Sequence, residues 1–560
     1  MTANLIADAQ AQLEGIITAA YGRAFPDKEL RSFNIEIPKD TSHGDFASNV
    51  AMISAKAVGK APRDIAAALI AEMDFAGSYF SGAEAAGPGF LNFRLNGSWF
   101  SHAVKAVLDC GADYGRSDYG KGEKIMVEFV SANPTGPMHM GNARGGAIGD
   151  CLASALDFAG YDVTREFYIN DAGNQIAKFG RSLEARYLQI YLGEDAVEFP
   201  EDGYQGEDIK VRAREFADRH GDRYVNAPSE ERIQALVDYA LPANVEGLRR
   251  DLEKYRITYD VWFSEKSLHD SGAVMEAVRL LSDRGMTYEK EGAIWYKATD
   301  YGAEKDEVLV RQNGIPTYFT ADIAYHYNKF AVRGFDRVID IWGADHHGHV
   351  ARMKGAMNAI GLDGDKLDIV LMQLVRLMKD GEPFKMSKRT GKAITLTDLL
   401  EEIPIDAARF FFNMREAGST LDFDLDLAVE QTSQNPVYYV QYAHARICSI
   451  LKNLAAEGVT PRPLTVEDFD LLTQSEEREL IRRLASMPEE IIAAARSYDP
   501  ARMTHYVIDI ATLFHKFYNA CRVKGEDEAL MQARLGLCIA TRTAISNVLG
   551  LLKITAPETM

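Results

Sequence analysis

The stretch IMVEFVSANPTGPMHMGNARGGAIGDCLASALDFAGYDVTREFYI, residues 125–169, decides the fold. Its first six residues, Ile125 to Val130, are a short apolar run that reads as a strand. Pro134, Gly136 and Pro137 then break the chain into a loop. Beyond them Ile148, Leu152, Ala155, Leu156 and Ala159 recur at helical spacing, with Gly160 as the stop. Val163 to Ile169 is a second strand. A strand-helix-strand unit of this length is a right-handed crossover onto a parallel sheet. Its loop-to-helix junction falls at the carboxyl edge of that sheet, where open α/β folds bind ligands.

Working outward, strand and helix signals alternate from about residue 116 to 430, as in a parallel sheet covered by helices. Leu309 to Arg311 and Thr317 to Phe319 are expected to be strands flanking an Asn313-Gly314 turn. Arg337 to Ile341 is a strand leading into Gly343, and Leu374 to Lys379 with Pro383 to Met386 flank Asp380-Gly381. A charged helical stretch near 185–250 carries no strand signal and reads as an insertion. Residues 1–115 mix helical periodicity with Gly-rich turns and a strand at Phe90 to Phe93, which predicts a small α+β domain. Residues 431–560 read as amphipathic helices with Leu480, Leu484, Ile491, Ile492, Leu513, Phe517, Leu535, Ile539 and Leu549 in the core.

The 560 residues, 47% hydrophobic and 26% charged, are globular in composition and long enough for three domains. No apolar run approaches the roughly 20 residues of a membrane span. The first residues lack a basic start followed by an unbroken apolar run, so no secretory signal is expected. Cys110, Cys151, Cys448, Cys521 and Cys538 are scattered, with no zinc spacing; a reducing cytoplasm and no structural zinc are expected. A formal charge of −20 opposes polyanions, so any nucleic acid must be held by local basic patches.

Two segments carry chemistry. Asn133-Pro-Thr-Gly-Pro-Met-His139-Met-Gly141-Asn142 opens the first helix of the crossover, whose free N–H groups and positive dipole end suit a triphosphate. Gly141 lets a flat ring approach the backbone, while His139 and Asn142 offer donors to phosphate oxygens. Alone, the segment also fits a plain Gly/Pro surface loop. Lys385-Met386-Ser387-Lys388-Arg389 follows a hairpin at the far end of the zone, and its lysines can neutralise charge on a transferring phosphate. Its spacing is not that of a Walker A loop.

In this order the two segments resemble the HIGH and KMSKS signatures of class I aminoacyl-tRNA synthetases. Asn142 stands in place of the second His and Arg389 in place of the final Ser. Within that class the resemblance is to arginyl-tRNA synthetases and covers nearly the whole chain. Val127 to Asn133 is similar to the strand before the family's HIGH motif, Tyr168 to Gln175 to its Asn-Asp-x-Gly-x-Gln element, and Tyr318 to Asp322 to its Tyr-x-Thr-x-Asp element. Ser42 to Ala51 and Gly87 to Phe93 resemble its N-terminal domain, and Asn435 to Arg446 the start of its helical anticodon-binding domain.

The resemblance implies a Rossmann-type α/β catalytic domain at 116–430, between an N-terminal α+β tRNA-elbow domain at 1–115 and an all-helical anticodon-binding domain at 431–560. It implies that arginine is activated with ATP and Mg²⁺ and transferred to tRNA(Arg) by a cytoplasmic monomer. ATP would meet Ala132, Asn133, Pro134, Thr135, Gly136, Pro137, Met138, His139, Met140, Gly141 and Asn142, with Lys385, Met386, Ser387 and Lys388. His139, Asn142 and Lys388 would act on the phosphates. By similarity Glu128, Glu265 and Asp322 would pair with the guanidinium, Tyr318 would lie against the side chain, and Asn133 and His346 would hold the α-amino end. A planar cation with five donors needs such carboxylates.

The run Trp342-Gly-Ala-Asp-His346-His347-Gly-His349 reads as a nucleotide or substrate contact in preference to a metal site. In the helical zone Tyr438, Tyr442, His444, Arg446, His515, Tyr518 and Arg522 combine stacking and cationic groups suited to single-stranded RNA. The tRNA contacts expected are Tyr438, Tyr442, Arg446, His515 and Tyr518. Two rival readings fit the motifs: a class I enzyme for another amino acid, lysine above all, and an inactive RNA-binding paralogue.

Overall fold

The computed structural model describes residues 3–384, 394–525 and 527–560. Five strands make a central parallel sheet: β1 (Lys124–Glu128), β2 (Asp162–Ile169), β3 (Val261–Ser264), β4 (Arg337–Gly343) and β5 (Leu367–Met372), in the order β5-β4-β1-β2-β3. Each neighbouring pair is parallel. The order reverses at β1, which puts the switch point beside the first crossover.

Helix α1 (Met140–Phe158) links β1 to β2 and is buried from Ala143 to Leu156. A helix buried on every side is enclosed by other elements. One side lies on the sheet: a side chain at Gly149 would come within 2.2 Å of Phe129, so only glycine permits this approach. Between β2 and β3 the chain is helical, with α2 (Gly173–Leu192), α3 (Glu207–His220) and α4 (Ser229–Lys254) around their own core of Phe179, Leu183, Tyr187, Phe216 and Leu236.

Helix α5 (Tyr318–Tyr327) continues into a π-turn, Asn328–Val332, before β4, and α6 (His347–Ala359) follows β4. The expected strand at Thr317 to Phe319 is therefore corrected. Gly314 does turn the chain at a φ of +79°. The return arm, however, forms no more than an isolated bridge at Pro316 with Val310, flanked by the Arg311 N–H to the Ile315 carbonyl and the Thr317 N–H to the Leu309 carbonyl, and the helix begins at Tyr318. Proline has no N–H to extend the ladder.

The first 110 residues hold an antiparallel sheet, in the order 35–36, 46–48, 90–95, 80–86, packed with helices that include Leu5–Ala24 and Gly97–Cys110. The last part is helical: α7 (Pro436–Ala456), α8 (Ser475–Ala485), α9 (Met487–Ser497), α10 (Ala501–Ala520) and α11 (Glu528–Leu551). Six of the nine core residues expected there are buried; Ile492, Leu513 and Ile539 are half-buried. No helix among the described residues is long and apolar enough to cross a membrane.

Candidate active site

Strand register builds the floor of the site. Asp340 on β4 lies opposite Glu128 on β1, and Glu128 lies opposite Glu166 on β2. Residues in register on parallel strands share a face, so three buried carboxylates stand in one row. Like charges placed opposite one another repel. The compensation comes from the helix above. Tyr318, Asp322, Tyr325, His326 and Lys329 follow helical spacing along α5 and its π-turn.

Lys329 is fully buried and donates to Glu128 Oε2 at 2.6 Å and to Asp340 Oδ1 at 2.8 Å. His326 bridges Asp340 Oδ2 and the Asp322 carbonyl, each at 2.8 Å. Arg333 and the Tyr325 hydroxyl both bind Glu166. Burial alone favours a neutral lysine, but Asp340 and Glu128 outweigh it and hold the Lys329 ammonium above its ordinary range. Burial pushes the Glu128 carboxyl up, with Lys329 opposing it.

Above this row is a pocket of about 190 Å³ lined by Glu128, Asn133, Tyr168, Tyr318, Asp322, Trp342, His346 and His349, among others. Asp322 Oδ2 is 3.1 Å from His349 Nε2, and the His349 ring packs against Trp342 and Phe319. The carboxylate of Asp322 raises the hydroxyl of Tyr318, whose side chain stands largely exposed at the pocket mouth. Glu265, the first residue of the short helix after β3, is buried behind Tyr168. Burial raises its carboxyl. The buried atoms Tyr168 Oη and Glu265 Oε2 lack a well-formed hydrogen bond among the described residues. The two groups are each other's nearest polar partners, and His269 also faces the Glu265 carboxylate.

The chain leaves β1 under strain. Val130 and Ser131 have φ values of +69° and +40°, a conformation uncommon in general and an outlier for a β-branched residue. The turn brings Ser131 Oγ to Glu128 Oε1 at 2.8 Å while the hydroxyl also accepts the Tyr168 N–H. Two hydrogen bonds therefore fix the loop that leads to α1.

In that loop Asn133, Pro137 and His139 are exposed, and Ala132, Gly136, Met140, Gly141 and Asn142 are half-buried. Pro134, Thr135 and Met138 are buried, so only their backbone can reach a ligand. His139 is the N-cap of α1, and Asn142 Oδ1 accepts its backbone N–H at 3.1 Å. The Asn142 amide oxygen is thus committed to the cap; its NH₂ is the donor it can offer. A side chain at Gly141 would meet nothing closer than His139 Nδ1 at 3.9 Å, which leaves the backbone open to a flat ring.

Lys385, Met386, Ser387, Lys388 and Arg389 lie outside the described residues. Their far flank is placed, however. Met140 donates to the Ile394 carbonyl and Leu396 to the Met138 carbonyl, so the chain that follows the KMSKR segment runs directly beside the HMGN turn.

Three family models cover the chain: the arginyl tRNA synthetase N-terminal domain at residues 9–95, the catalytic domain of class I (R) tRNA synthetases at 103–448, and the DALR anticodon binding domain at 440–560. An arginine–tRNA ligase of Ruminiclostridium cellulolyticum is 59% identical over 96% of this chain and 95% of its own. That of Acetivibrio thermocellus is 56% identical over the full length of both. The chain belongs to the arginyl-tRNA synthetase family. The Thermus thermophilus arginyl-tRNA synthetase structure, 22% identical, matches its fold with a TM-score of 0.75 over 99% of this chain and 100% of that one.

Of the arginyl-tRNA synthetase residues expected to hold the amino acid, Glu128, Asn133, Tyr318, Asp322 and His346 line the one pocket, and Glu265 stands behind its Tyr168 wall. Sequence reasoning missed Lys329, Asp340, His326, Glu166 and Arg333. The signal for Lys329 was a lysine on the inward stripe of α5. His346 Nδ1 turns to Asp345 at 3.3 Å and His349 to Asp322, so the histidine-rich run does not converge. Among the described residues no three His, Cys, Asp or Glu side chains are grouped to hold a metal ion.

Of the expected tRNA contacts, four cluster between α7 and α10. Arg446 lies 4.4 Å from the Tyr518 ring centroid, its Nη1 is 3.5 Å from His515 Nδ1, and Tyr442 packs on His515. Tyr442 is 42% exposed and offers the cluster's open aromatic surface. Tyr438, one turn earlier, is half-buried, and His444 is buried against the Pro557 carbonyl, which makes it a structural residue.

Proposed function

We propose that the pocket above the Asp340-Glu128-Glu166 row binds arginine and that the HMGN turn beside it binds ATP, so that together they perform the ATP-dependent ligation of arginine to tRNA(Arg). The observation that carries this reading is charge. Among the described residues, the carboxylates of Asp340, Glu128, Glu166 and Asp322 around the pocket meet two fixed cations, Lys329 and Arg333. The site is short of positive charge, and a guanidinium supplies it with planar donors for Asp322, Glu128 and Glu265. Tyr318 lies along the alkyl chain, and Asn133 and His346 hold the α-amino end.

The reaction has two steps. An oxygen of the arginine carboxylate attacks the α-phosphorus of ATP; the bond to the bridging oxygen breaks and pyrophosphate leaves. The terminal ribose hydroxyl of the tRNA then attacks the arginyl-adenylate carbonyl, AMP leaves, and the hydroxyl proton passes to solvent or the phosphate. His139, the Asn142 amide and the N-terminus of α1 stabilise charge on the phosphates, together with Lys388. Mg²⁺ carried by the ATP phosphates would add positive charge at the pyrophosphate. Positioning and electrostatics carry the rate.

The tRNA is held by its anticodon on the Tyr442, Arg446, His515 and Tyr518 cluster and by its elbow on the N-terminal domain. The enzyme works as a monomer in the cytoplasm. Pyrophosphate exchange with each amino acid, with and without tRNA, tests the assignment. Exchange with arginine alone among the amino acids is expected; exchange driven by lysine, or none with any amino acid plus tRNA, would overturn it.

A further inference from the structure

The three-carboxylate row poses a physical problem that the proposed chemistry does not by itself resolve. Asp340 and Glu128 are adjacent across a parallel pair, and both are buried. Without a cation between them, one would take up a proton instead of remaining charged. A protonated Glu128 would be a poor partner for a guanidinium. The cation present belongs to the protein. Lys329 Nζ spans Glu128 Oε2 and Asp340 Oδ1, and it stands 4.2 Å from the Tyr325 ring centroid.

The other groups around Glu128 are already engaged. Glu166 is taken by Arg333 and Tyr325, Asp340 has His326 as its second partner, and Ser131 Oγ binds Glu128 Oε1. Lys329 is thus the group that both neutralises Glu128 and orients it, gripping one oxygen while the other stays on the Ser131 side. The lysine is delivered by the π-turn Asn328–Val332, an insertion typical of functional helices.

We propose that Lys329 is a positioning residue for amino-acid selection: its buried ammonium keeps Glu128 ionised and fixed in orientation, so that the guanidinium is read against a carboxylate locked by an internal cation. This rests on the reading of the pocket as the arginine site. Lys329 touches no substrate in this scheme and acts only through Glu128.

The test is steady-state exchange kinetics on the full chain with tRNA present, comparing Lys329→Met, Glu128→Gln and the double variant. Lys329→Met is expected to raise the arginine KM about tenfold or more while leaving the ATP KM near wild type. Because burial then acts on Glu128 unopposed, its carboxyl titrates at higher pH. The arginine KM of Lys329→Met should fall as pH rises from about 6 to 9, a window open to buried carboxyls, while the wild-type KM stays flat. In the double variant the arginine KM should lie within about twofold of Glu128→Gln alone, since one effect runs through the other.

If Lys329→Met does not fold, the comparison of Glu128→Gln with the double variant still decides, because together the two substitutions remove one charge of each sign. A further tenfold loss on adding Lys329→Met to Glu128→Gln would overturn the proposal. So would a Lys329→Met enzyme with a wild-type arginine KM and a flat pH profile. An unchanged arginine KM in Glu128→Gln alone would instead sink the reading of the pocket.

Discussion

Two buried ionic clusters lie on opposite faces of the central sheet, divided between the consecutive residues Arg165 and Glu166 of β2, and they are built on opposite principles. Behind α1, Arg409 is fully buried with its Nε on the Leu552 carbonyl, Nη1 on the Tyr255 carbonyl and Nη2 on Asp150 at 2.6 Å. Asp150 also takes Arg165, and Cys151, its thiol pushed up to about 11 by burial, stays neutral. Each nitrogen of Arg409 there meets an acceptor, and Arg409 and Asp150 are both shut off from solvent. On the other face of the sheet, the pocket cluster holds more carboxylates than cations among the described residues and opens to solvent. A closed cluster whose carboxylate is fully paired ties elements together; one with an excess of carboxylates and an opening is set up for a cationic ligand.

The difference can be broken from either end. Arg409→Ala leaves Asp150 with Arg165 as its remaining cation and strips the Leu552 and Tyr255 carbonyls of their donor, at a cost of about 3–5 kcal/mol. Urea denaturation should show that loss, while the arginine KM of the folded enzyme stays near wild type. An arginine KM raised tenfold in a protein of unchanged stability would reverse the roles assigned to the two clusters. The cluster also argues against testing tRNA binding by truncation: removing the last helices takes away the Leu552 carbonyl and uncovers α1, so point variants are the sounder probe.

On the phosphate side, His139→Ala and Lys388→Ala should each slow adenylate formation by about two to three orders of magnitude with tRNA affinity nearly intact. Single-turnover rates within about threefold of wild type would show that positioning alone suffices there. Smaller still is Tyr442→Ala, which removes the open ring of the α7-α10 cluster. Filter binding should show tRNA affinity weaker by about 1–3 kcal/mol and amino-acid-site kinetics unchanged at saturating tRNA. Affinity equal to wild type would move the anticodon contact elsewhere on the helical region.

The contrast also explains how much could be read from sequence. Residues 125–169 give the crossover because its signals are local: a strand, a Gly/Pro break and a helical repeat. Glu128, Tyr318 and Asp322 were legible through motifs. Lys329 and Asp340 were not, because the register that sets Asp340 against Glu128 joins strands some two hundred residues apart, as does the bond from Lys329 to Glu128. Arg409 was invisible for the same reason, since its partners come from three distant segments. The Asn313-Gly314 turn was read correctly as a turn, but Pro316 and the Thr317 cap made its second arm a helix start. Val130 was expected within a strand; the φ of +69° that ends β1 early is imposed by Ser131 folding back on Glu128.

The central claim is that the excess negative charge of the pocket reads the guanidinium, and Asp322 is where it can be removed with least disturbance. Asp322→Asn keeps the shape and leaves the bound cation short of one carboxylate, a loss of roughly 3–5 kcal/mol if the pair is desolvated. The measurement is kcat/KM in tRNA-dependent exchange for arginine and for citrulline, its neutral analogue of similar shape. The account predicts at least about a hundredfold loss for arginine, little change in the ATP KM, and weaker discrimination against citrulline than in wild type. An arginine kcat/KM within about fivefold of wild type, with discrimination unchanged, would contradict it.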